Sequence, residues 1–360
     1  MQKPDLLIHI GHGKTGSSSI QHALVANRKM LEAAGVVVGE AERHANHQQI
    51  FAHLSRLPKG NMPGYVNAAR EQRKAEEAGA DLWARLEERI AKRSPSLVVL
   101  SCENQFRPFT DAAFARMNGI LKPHFANIRV MAYLRAPACY FLSAVQQDLK
   151  KRPEFGLPSA SRFRDVLEPW AAKGPGEVIC RRYAREALTG GDVVTDFITH
   201  FLPMTDPGAF DRRSYDENEN ETASPEAMEI LQQYFRGTQK SPHRHYDRRP
   251  QRFKWLVRTA DAAVPGQSKP VLRDGLREVI EARCTDLDWL AETHGISFPE
   301  IDATAMPRDE AERRHAALRD VRHVCTVDAT RKKAVLDEIA RRAADETSPM
   351  MRLRRALGFR

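Results

Sequence analysis

The sequence predicts an α/β fold, with a central parallel sheet flanked by helices and a mainly helical C-terminal part. Short runs of β-forming residues, such as Leu6–Ile10, Leu97–Leu100 and Ile128–Leu134, each give way to an apolar pattern with helical spacing. That alternation is typical of parallel strands connected by helices. From about Gly237 onward the pattern is helical only. With 360 residues, 42% of them hydrophobic, the chain can bury a sizeable core.

The composition favours an intracellular protein with an anionic partner. The five cysteines are scattered without Cys-x-x-Cys spacing, and no leader and no apolar run near 18 residues is found. We therefore expect reduced thiols, no structural zinc and a cytoplasmic location. The formal charge of +9 suits an anionic cofactor or acceptor. Arginines alternate with acidic residues in the C-terminal half, which is more typical of solvated helix faces than of a nucleic-acid groove.

The first strand, Leu6–Ile10, leads into a loop rich in glycine and hydroxyl groups, and a helix begins near Ile20. The first turn of such a helix leaves backbone N–H groups unpaired, with the positive end of the helix dipole behind them. Glycines allow close approach of the backbone, and lysine adds charge. We predict that this loop binds an anion through Gly11, Gly13, Lys14, Thr15, Gly16, Ser17 and Ser18.

The next elements are a helix of about four turns that stops near Gly35 and a short strand, Val36–Val38. Residues around 40–80 are polar and are predicted to form a substrate-facing insertion. This segment contains Glu42, His44 and His47. An amphipathic helix follows at Asp81–Lys92.

The apolar run Leu97–Leu100 predicts a central strand, and Glu103 comes directly after it. Ligands of open α/β sheets lie outside the carboxyl ends of the strands, so Glu103 is a candidate catalytic residue. A carboxylate that only caps the next segment explains the same pattern, and both interpretations stay open.

Strand Ile128–Leu134 is followed by Arg135, by Pro137 and by a helix that runs to Lys150. A guanidinium at a strand end can grip phosphate oxygens through two hydrogen bonds, and Ser143 on the following helix can add one more.

A last short strand, Glu177–Cys180, leads to Arg182 and Tyr183. The helix Asp192–Leu202 has apolar side chains at helical spacing and is predicted to be core. Ser224 and Pro225 begin a further helix, as N-cap and first helical residue. The predicted organisation is a core of residues 1–236 with the insertion, and a helical extension of residues 237–360.

The first loop is too short for a Walker nucleoside-triphosphate loop, because the position that needs the first glycine is Ile8, inside the strand. Its Gly-Lys-Thr-Gly-Ser-Ser sequence resembles the 5'-phosphosulfate loop of sulfotransferases that use 3'-phosphoadenosine 5'-phosphosulfate (PAPS). Arg135 and Ser143 have the spacing of that family's 3'-phosphate clamp. The resemblance covers roughly residues 5–25 and 97–202 and extends to bacterial members, which carry an Arg-x-Tyr or a similar motif near Arg182 and Tyr183.

This resemblance implies a P-loop-like fold similar to nucleotide kinases, and transfer of a sulfuryl group from PAPS, without a required metal, to an acceptor hydroxyl or amine. Adenosine 3',5'-bisphosphate (PAP) would be the product. Lys14 would stabilise the bridging oxygen, and the base would be Glu103 or His47, with Glu42 and His44 as further candidates. The acceptor-side segments, roughly 40–80 and 237–270, suit a saccharide or glycolipid.

Two other classes stay open from the sequence. A P-loop-type small-molecule kinase or nucleoside triphosphatase would need Walker spacing and a Mg²⁺-binding acid, for which only Glu103 could serve. A non-catalytic anion-binding or nucleic-acid-binding protein would use the basic surface and show steep salt dependence. The final MRLRRALGFR leaves peripheral membrane contact open beside a frayed tail, which the sequence favours.

Overall fold

A five-stranded sheet, parallel throughout, is the centre of the structure, in the strand order β2-β3-β1-β4-β5. The computed structural model describes residues 2–41, 46–56, 69–156, 162–203, 206–211, 222–238, 248–301 and 306–347. The strands are β1 (Asp5–His9), β2 (Val36–Val38), β3 (Leu97–Ser101), β4 (Ile128–Leu134) and β5 (Glu177–Arg182). The predicted α/β class with a parallel sheet and flanking helices is confirmed.

Helices account for most of the remaining described residues. In chain order they are α1 (Ser17–Ala26), α2 (Arg28–Ala33), α3 (Gln48–Ser55), α4 (Ala69–Arg93), α5 (Asp111–Leu121), α6 (Pro137–Leu149), α7 (Phe163–Lys173), α8 (Val193–Phe201), α9 (Pro225–Thr238), α10 (Arg248–Ala263), α11 (Leu276–Glu281), α12 (Leu287–His294), α13 (Arg308–Ala316), α14 (Val321–Val324) and α15 (Ala329–Thr347). Part of the predicted insertion, residues 42–45 and 57–68, lies outside the described residues; its remainder contributes α3 and the start of α4.

The chain divides into two compact units, each made of separate stretches. The sheet unit comprises Met1–Ala136, Ser161–Glu217 and Thr285–Ile301. The helical unit comprises Pro137–Ala160, Asn218–Cys284 and Asp302–Arg360. This division differs from the predicted boundary at residue 236. Helix α6 follows β4 directly, yet its apolar face packs with α9 and α11 in the helical unit.

The core of the sheet unit forms because β1, β2, β3 and β4 are mostly apolar and buried, whereas the edge strand β5 is only partly buried. Leu6, Leu7 and Ile8 of β1 are fully buried, as expected of a central parallel strand covered on both sides. One face packs against α1 and α8, where Leu24 and Phe197 belong to the same apolar cluster as Leu7. The sheet unit thereby holds the ends of its strands in fixed positions relative to one another.

Candidate functional site

The carboxyl ends of β1 and β4 form the crevice where the fold places ligands. These two strands are neighbours, with Leu6 beside Ile128 and His9 beside Met131. The chain leaves β1 toward β2 on one side and leaves β4 toward β5 on the other. Adjacent parallel strands with diverging connections mark the ligand site of open α/β sheets. The loop after β1 and the residues after β4 therefore border one crevice.

The loop between β1 and α1 has a backbone shape suited to anions. Gly11, Lys14 and Gly16 all have left-handed backbone angles, with φ of 38°, 64° and 75°. Single left-handed residues between ordinary ones turn backbone N–H groups toward one concavity, which attracts anions. Gly13 lies half-buried in the same turn. The loop thus has the sharp turns predicted from its glycines. Lys14, which is not a glycine, also has a positive φ, a backbone conformation that residues with a side chain rarely adopt.

Helix α1 presents its N-terminus to this loop. Gly16 is its N-cap and supplies no side-chain cap, and the first turn contains no acidic residue. The N–H groups of the first turn therefore have no intrahelical acceptor and no carboxylate within the turn itself. An anion bound here would accept those hydrogen bonds and be stabilised by the helix dipole.

Two glycines are required because the loop is pressed between its neighbours. A Cβ at Gly11 would lie 2.5 Å from the Ser17 Oγ and 3.0 Å from the Glu103 Cα. A Cβ at Gly16 would lie 2.5 Å from a methyl carbon of Val193, the first residue of α8. Any larger residue at either position would therefore move the loop away from the ends of the strands.

The hydroxyl groups of the loop fall into two classes. The Thr15 hydroxyl is buried and donates to the His12 carbonyl, so it closes the turn and is already committed. The Ser17 Oγ is buried and has no hydrogen-bond partner among the residues that the structure describes. An unsatisfied buried hydroxyl is costly, and a ligand oxygen would satisfy it. Ser18 is half-buried on the first turn of α1.

Arg135 joins the loop to the end of β4. Its Nη1 donates to the Lys14 carbonyl oxygen at 3.0 Å, and its guanidinium carbon lies 5.7 Å from the centre of the Tyr183 ring. Its backbone N–H donates to the His12 Nδ1 at 3.3 Å. The structure therefore brings together three residues predicted to bind the cofactor, Lys14, Arg135 and Tyr183, although 121 positions separate the first two.

His12 was missed by the sequence reasoning and supports this junction. Its ring is buried, 4.8 Å from the ring centre of Phe106 and 5.6 Å from that of Phe163. Burial, helped by the charges of Arg135 and Arg162, lowers the pKa of His12 to about 3. A neutral ring can accept the Arg135 N–H, which a protonated ring could not do. The only signal in the sequence is a histidine between the glycines of an anion-binding loop.

Glu103 lies beside the loop. It begins a short 3₁₀ turn, Glu103–Gln105, just after β3, and its backbone lies against Gly11. The residue is half-buried. Within the described part of the chain, no hydrogen bond or ion pair occupies its carboxylate. The group is therefore available to accept a proton.

His47 has a different role from the predicted base. Its Nδ1 accepts the Ser101 N–H at 2.7 Å, so its Nε2 carries the proton and donates to the Gly39 carbonyl at 2.8 Å. The ring is 1% exposed, and burial lowers its pKa to about 4. Both ring nitrogens already have hydrogen-bond partners, so His47 is not placed to act as the predicted base. It instead links the segment after β2 to the end of β3. Glu42 and His44 lie outside the described residues.

Arg182 is also engaged differently from the prediction. Its guanidinium bonds to Glu186 and lies 3.3 Å from the Glu300 carboxylate. Two carboxylates already compensate its charge, so Arg182 is poorly suited to hold a phosphate in this conformation. Its neighbour Tyr183 instead lies next to Arg135.

Asp196 is a buried carboxylate in the helix that the sequence predicted to be apolar core. It fixes the position of β5 relative to α8. The Asp196 side chain accepts two hydrogen bonds of 2.7 Å from Arg181 and one of 2.7 Å from the Tyr133 hydroxyl. Burial would raise the pKa of Asp196, but the bonds from Arg181, Thr189 and Tyr133 outweigh burial and hold it below its ordinary value. This network supports the segment that carries Tyr183.

Ser143, the proposed partner of Arg135, is half-buried on α6 in the helical unit. The pairing of the two residues stays a prediction.

Neither a protein-family model nor a curated protein matches this chain. The interpretation of the site therefore rests on its residues and their geometry. Among the described residues, no three His, Cys, Asp or Glu side chains gather as a metal-binding group. None of the helices in those same ranges is long and apolar enough to cross a membrane. All five cysteines are free thiols.

Proposed function

We propose that this protein is a PAPS-dependent sulfotransferase with a P-loop-like α/β fold. The observation that carries the proposal is the hydrogen bond from Arg135 to the Lys14 carbonyl. It brings the two phosphate-binding motifs predicted from sequence to one crevice between β1 and β4. A nucleotide with phosphates at both its 5' and 3' positions needs two adjacent anion sites, one for each end.

The loop residues fit the 5'-phosphosulfate. The left-handed turns at Gly11, Lys14 and Gly16 and the N-terminus of α1 supply donors to one region. The Ser17 hydroxyl, which has no partner among the described residues, adds one more. The Lys14 ammonium adds a full positive charge. We expect Ser17 and Ser18 to hold the 5'-phosphate oxygens.

Arg135 fits the 3'-phosphate because its guanidinium has donors besides the one given to Lys14. Tyr183, whose ring lies beside that guanidinium, would line the same pocket. The part of Ser143 in this clamp stays a prediction from the sequence spacing. Arg182 is left out of the proposed site because of its two carboxylate partners.

The reaction would be an in-line transfer. An oxygen of the acceptor forms a new bond to sulfur while the bond from sulfur to the bridging oxygen of the 5'-phosphate breaks. Glu103 takes the acceptor proton, and the pair of electrons of the broken bond goes to the leaving PAP, where Lys14 stabilises the developing charge. Positioning and electrostatics supply most of the rate enhancement in such transfers. A saccharide or glycolipid hydroxyl remains our proposed acceptor.

Binding of PAP by the full chain tests the proposal. We expect PAP to bind the wild type and to raise its melting temperature more than ATP with Mg²⁺ does. Losing charge-assisted hydrogen bonds costs about 1.5–3 kcal/mol, so Arg135→Ala should bind PAP about 10–150-fold more weakly. Lys14→Met should also weaken binding, whereas Lys29→Met, which removes an exposed lysine of α2, should not.

Glu103→Gln separates chemistry from binding. It should bind PAP like the wild type and lose PAPS turnover at least 100-fold, because general-base catalysis contributes roughly that much or more. Wild-type indifference to PAP would overturn the proposal. So would tighter binding of ATP together with transfer that stops on addition of EDTA, since those results indicate a kinase.

A further inference from the structure

A buried polar cluster in the sheet unit joins helix α1 to the end of strand β3. Gln21 of α1 is 5% exposed, and Ser101, the last residue of β3, is fully buried. The same two elements carry the proposed anion donors and the proposed base. Ser17 is the first residue of α1, and Glu103 begins the turn after β3. The cluster therefore links the two parts of the candidate site.

The Ser101 hydroxyl is the centre of this cluster. The Gln21 Nε2 donates to the Ser101 Oγ at 3.1 Å. The same nitrogen lies 3.5 Å from the Ser101 carbonyl oxygen, which can only accept, so this end of the amide faces Ser101. The His9 Nδ1 lies 2.9 Å from the Ser101 Oγ. Burial lowers the pKa of His9 to about 3, so its ring is neutral and can accept the hydrogen of the serine. Ser101 thereby ties α1 to the ends of two strands.

The strand end that carries Ser101 is held in place without the help of α1. The Ser101 N–H donates to the His47 Nδ1 at 2.7 Å. The Cys102 N–H donates to the His9 carbonyl oxygen at 2.8 Å, across to β1. Glu103 follows in the chain at once. Ser101 is therefore a fixed point, and its bond to Gln21 positions α1 relative to it.

On α1, Gln21 shares the buried face with Ser17. The two residues are four positions apart, about one turn of the helix, so a rotation of α1 moves both side chains together. The Ser17 Oγ lies 2.5 Å from the place that a Cβ on Gly11 would take, and the Glu103 Cα lies 3.0 Å from that place. A small rotation of α1 would therefore change the gap between the Ser17 hydroxyl and Glu103.

Packing alone does not require an amide at position 21. The other side chains buried further along this face, Ile20, Ala23 and Leu24, are apolar. Apolar contacts have no preferred direction, whereas a buried hydrogen bond favours one relative position of its two partners. Burying a glutamine is also costly unless it makes a hydrogen bond. The Gln21 amide thus defines how α1 is oriented on the sheet.

We propose that Gln21 and Ser101 are positioning residues of the candidate site. Their hydrogen bond sets the rotation of α1, and with it the placement of the Ser17 hydroxyl and of the first-turn N–H groups for an anion beside Glu103. The inference rests on the proposed function, because it takes the N-terminus of α1 as the site of the anion. Neither residue needs to touch the anion or the acceptor.

Inorganic pyrophosphate and PAP are the probes, titrated into the full chain at a temperature where circular dichroism shows each variant to be folded. Gln21→Met removes the donor and keeps an unbranched side chain of similar length. We expect this variant to bind both probes about three- to tenfold more weakly, the equivalent of one net hydrogen bond. Part of the binding free energy then goes to holding α1 in position. Ser101→Ala removes the other partner and should weaken binding by a similar factor.

A double variant tests whether the two residues act through one bond. Gln21→Met combined with Ser101→Ala should bind pyrophosphate at most about twofold more weakly than the weaker single variant, because both changes remove the same bond. Ser55→Ala is the control for a lost buried serine. Its hydroxyl donates to the Phe51 carbonyl oxygen at 2.7 Å within α3, so its loss should lower the melting temperature and leave the affinity for both probes unchanged.

An unchanged affinity for pyrophosphate in a folded Gln21→Met would overturn the inference, and so would fully additive losses in the double variant. If PAP binds the wild type and Gln21→Met equally well, the inference fails while the proposed function stands. If the wild type binds pyrophosphate but not PAP, and Gln21→Met weakens that binding, the proposed function fails while the inference stands. Binding of neither probe by the wild type would overturn both. Should Gln21→Met not fold, Ser101→Ala decides in the same way.

Discussion

Acid should destabilise the sheet unit through three buried histidines near its crevice. Burial is the largest cause of the lowered pKa in each: to about 3 in His9 and His12, and to about 4 in His47, from an ordinary value of 6.5. The unfolded chain therefore takes up protons below pH 6.5 that the folded chain refuses. The free energy of unfolding that depends on these neutral histidines is fully present well above pH 6.5. It is lost as the pH falls from 6.5 toward the folded-state pKa values of about 4 and 3.

The size of the effect follows from the pKa values. At pH 5 each histidine favours unfolding by RT ln(1 + 10^1.5), about 2 kcal/mol, so the three together remove about 6 kcal/mol relative to pH 8. Native stability is about 5–15 kcal/mol, so this loss is a large part of the total. Below pH 6 we expect stability to fall by up to about 4 kcal/mol per pH unit.

Urea unfolding of the full chain at pH 8, 7, 6 and 5 measures the slope. The sharper measurement compares the wild type with His9→Asn. In the wild type the His9 Nδ1 lies 2.9 Å from the Ser101 hydroxyl oxygen. The asparagine amide can replace this hydrogen bond but does not titrate. The loss between pH 8 and pH 5 should be about 2 kcal/mol smaller in this variant. His124→Asn removes a half-exposed ring from the same unit and serves as the control. An identical loss in His9→Asn and the wild type would refute the reasoning.

Two other predictions concern packing. Gly16→Ala should lower the free energy of unfolding by about 1–3 kcal/mol, because it combines a φ of 75° with a Cβ only 2.5 Å from a Val193 methyl carbon. The same variant should bind PAP more weakly. A wild-type midpoint in chemical denaturation would contradict the predicted loss of stability. Arg331→Met should cost about 3–5 kcal/mol, since it leaves the buried carboxylates of Glu226 and Asp261 without their shared partner. Adding D261N to that variant should restore part of the loss in a thermal melt; a purely additive second loss would argue against an electrostatic origin.

The sheet could be predicted from the sequence because the residues of its central strands by themselves favour a buried β-strand. Leu6–Ile10 and Leu97–Leu100 are largely apolar runs, as expected of strands that are covered on both faces. The observed strand Asp5–His9 is shifted by one residue from the first run, and Leu97–Ser101 is one residue longer than the second. The loop between β1 and α1 could be singled out as a candidate site for a similar reason, because its glycines, lysine and hydroxyls lie within one short stretch.

The roles of single polar residues could not be predicted, because they depend on distant partners. His47 was indistinguishable from a catalytic base until the structure placed both its nitrogens against Gly39 and Ser101. Arg182 resembles a phosphate ligand until Glu300, 118 positions away, meets it. The assignment of α6 to the helical unit also escaped prediction, since its apolar face shows that it is buried but not which helices bury it.

The interleaving of the two units limits how this protein can be dissected. The chain passes from one to the other after Ala136, Ala160, Glu217, Cys284 and Ile301. A fragment that stops near residue 236 would lose Thr285–Ile301 and with it the Phe298 ring, which stacks on Phe163 at 5.9 Å. No single stop codon yields an intact sheet unit on its own, so expression trials and split reporters should keep the gene whole or reconnect its stretches by redesign.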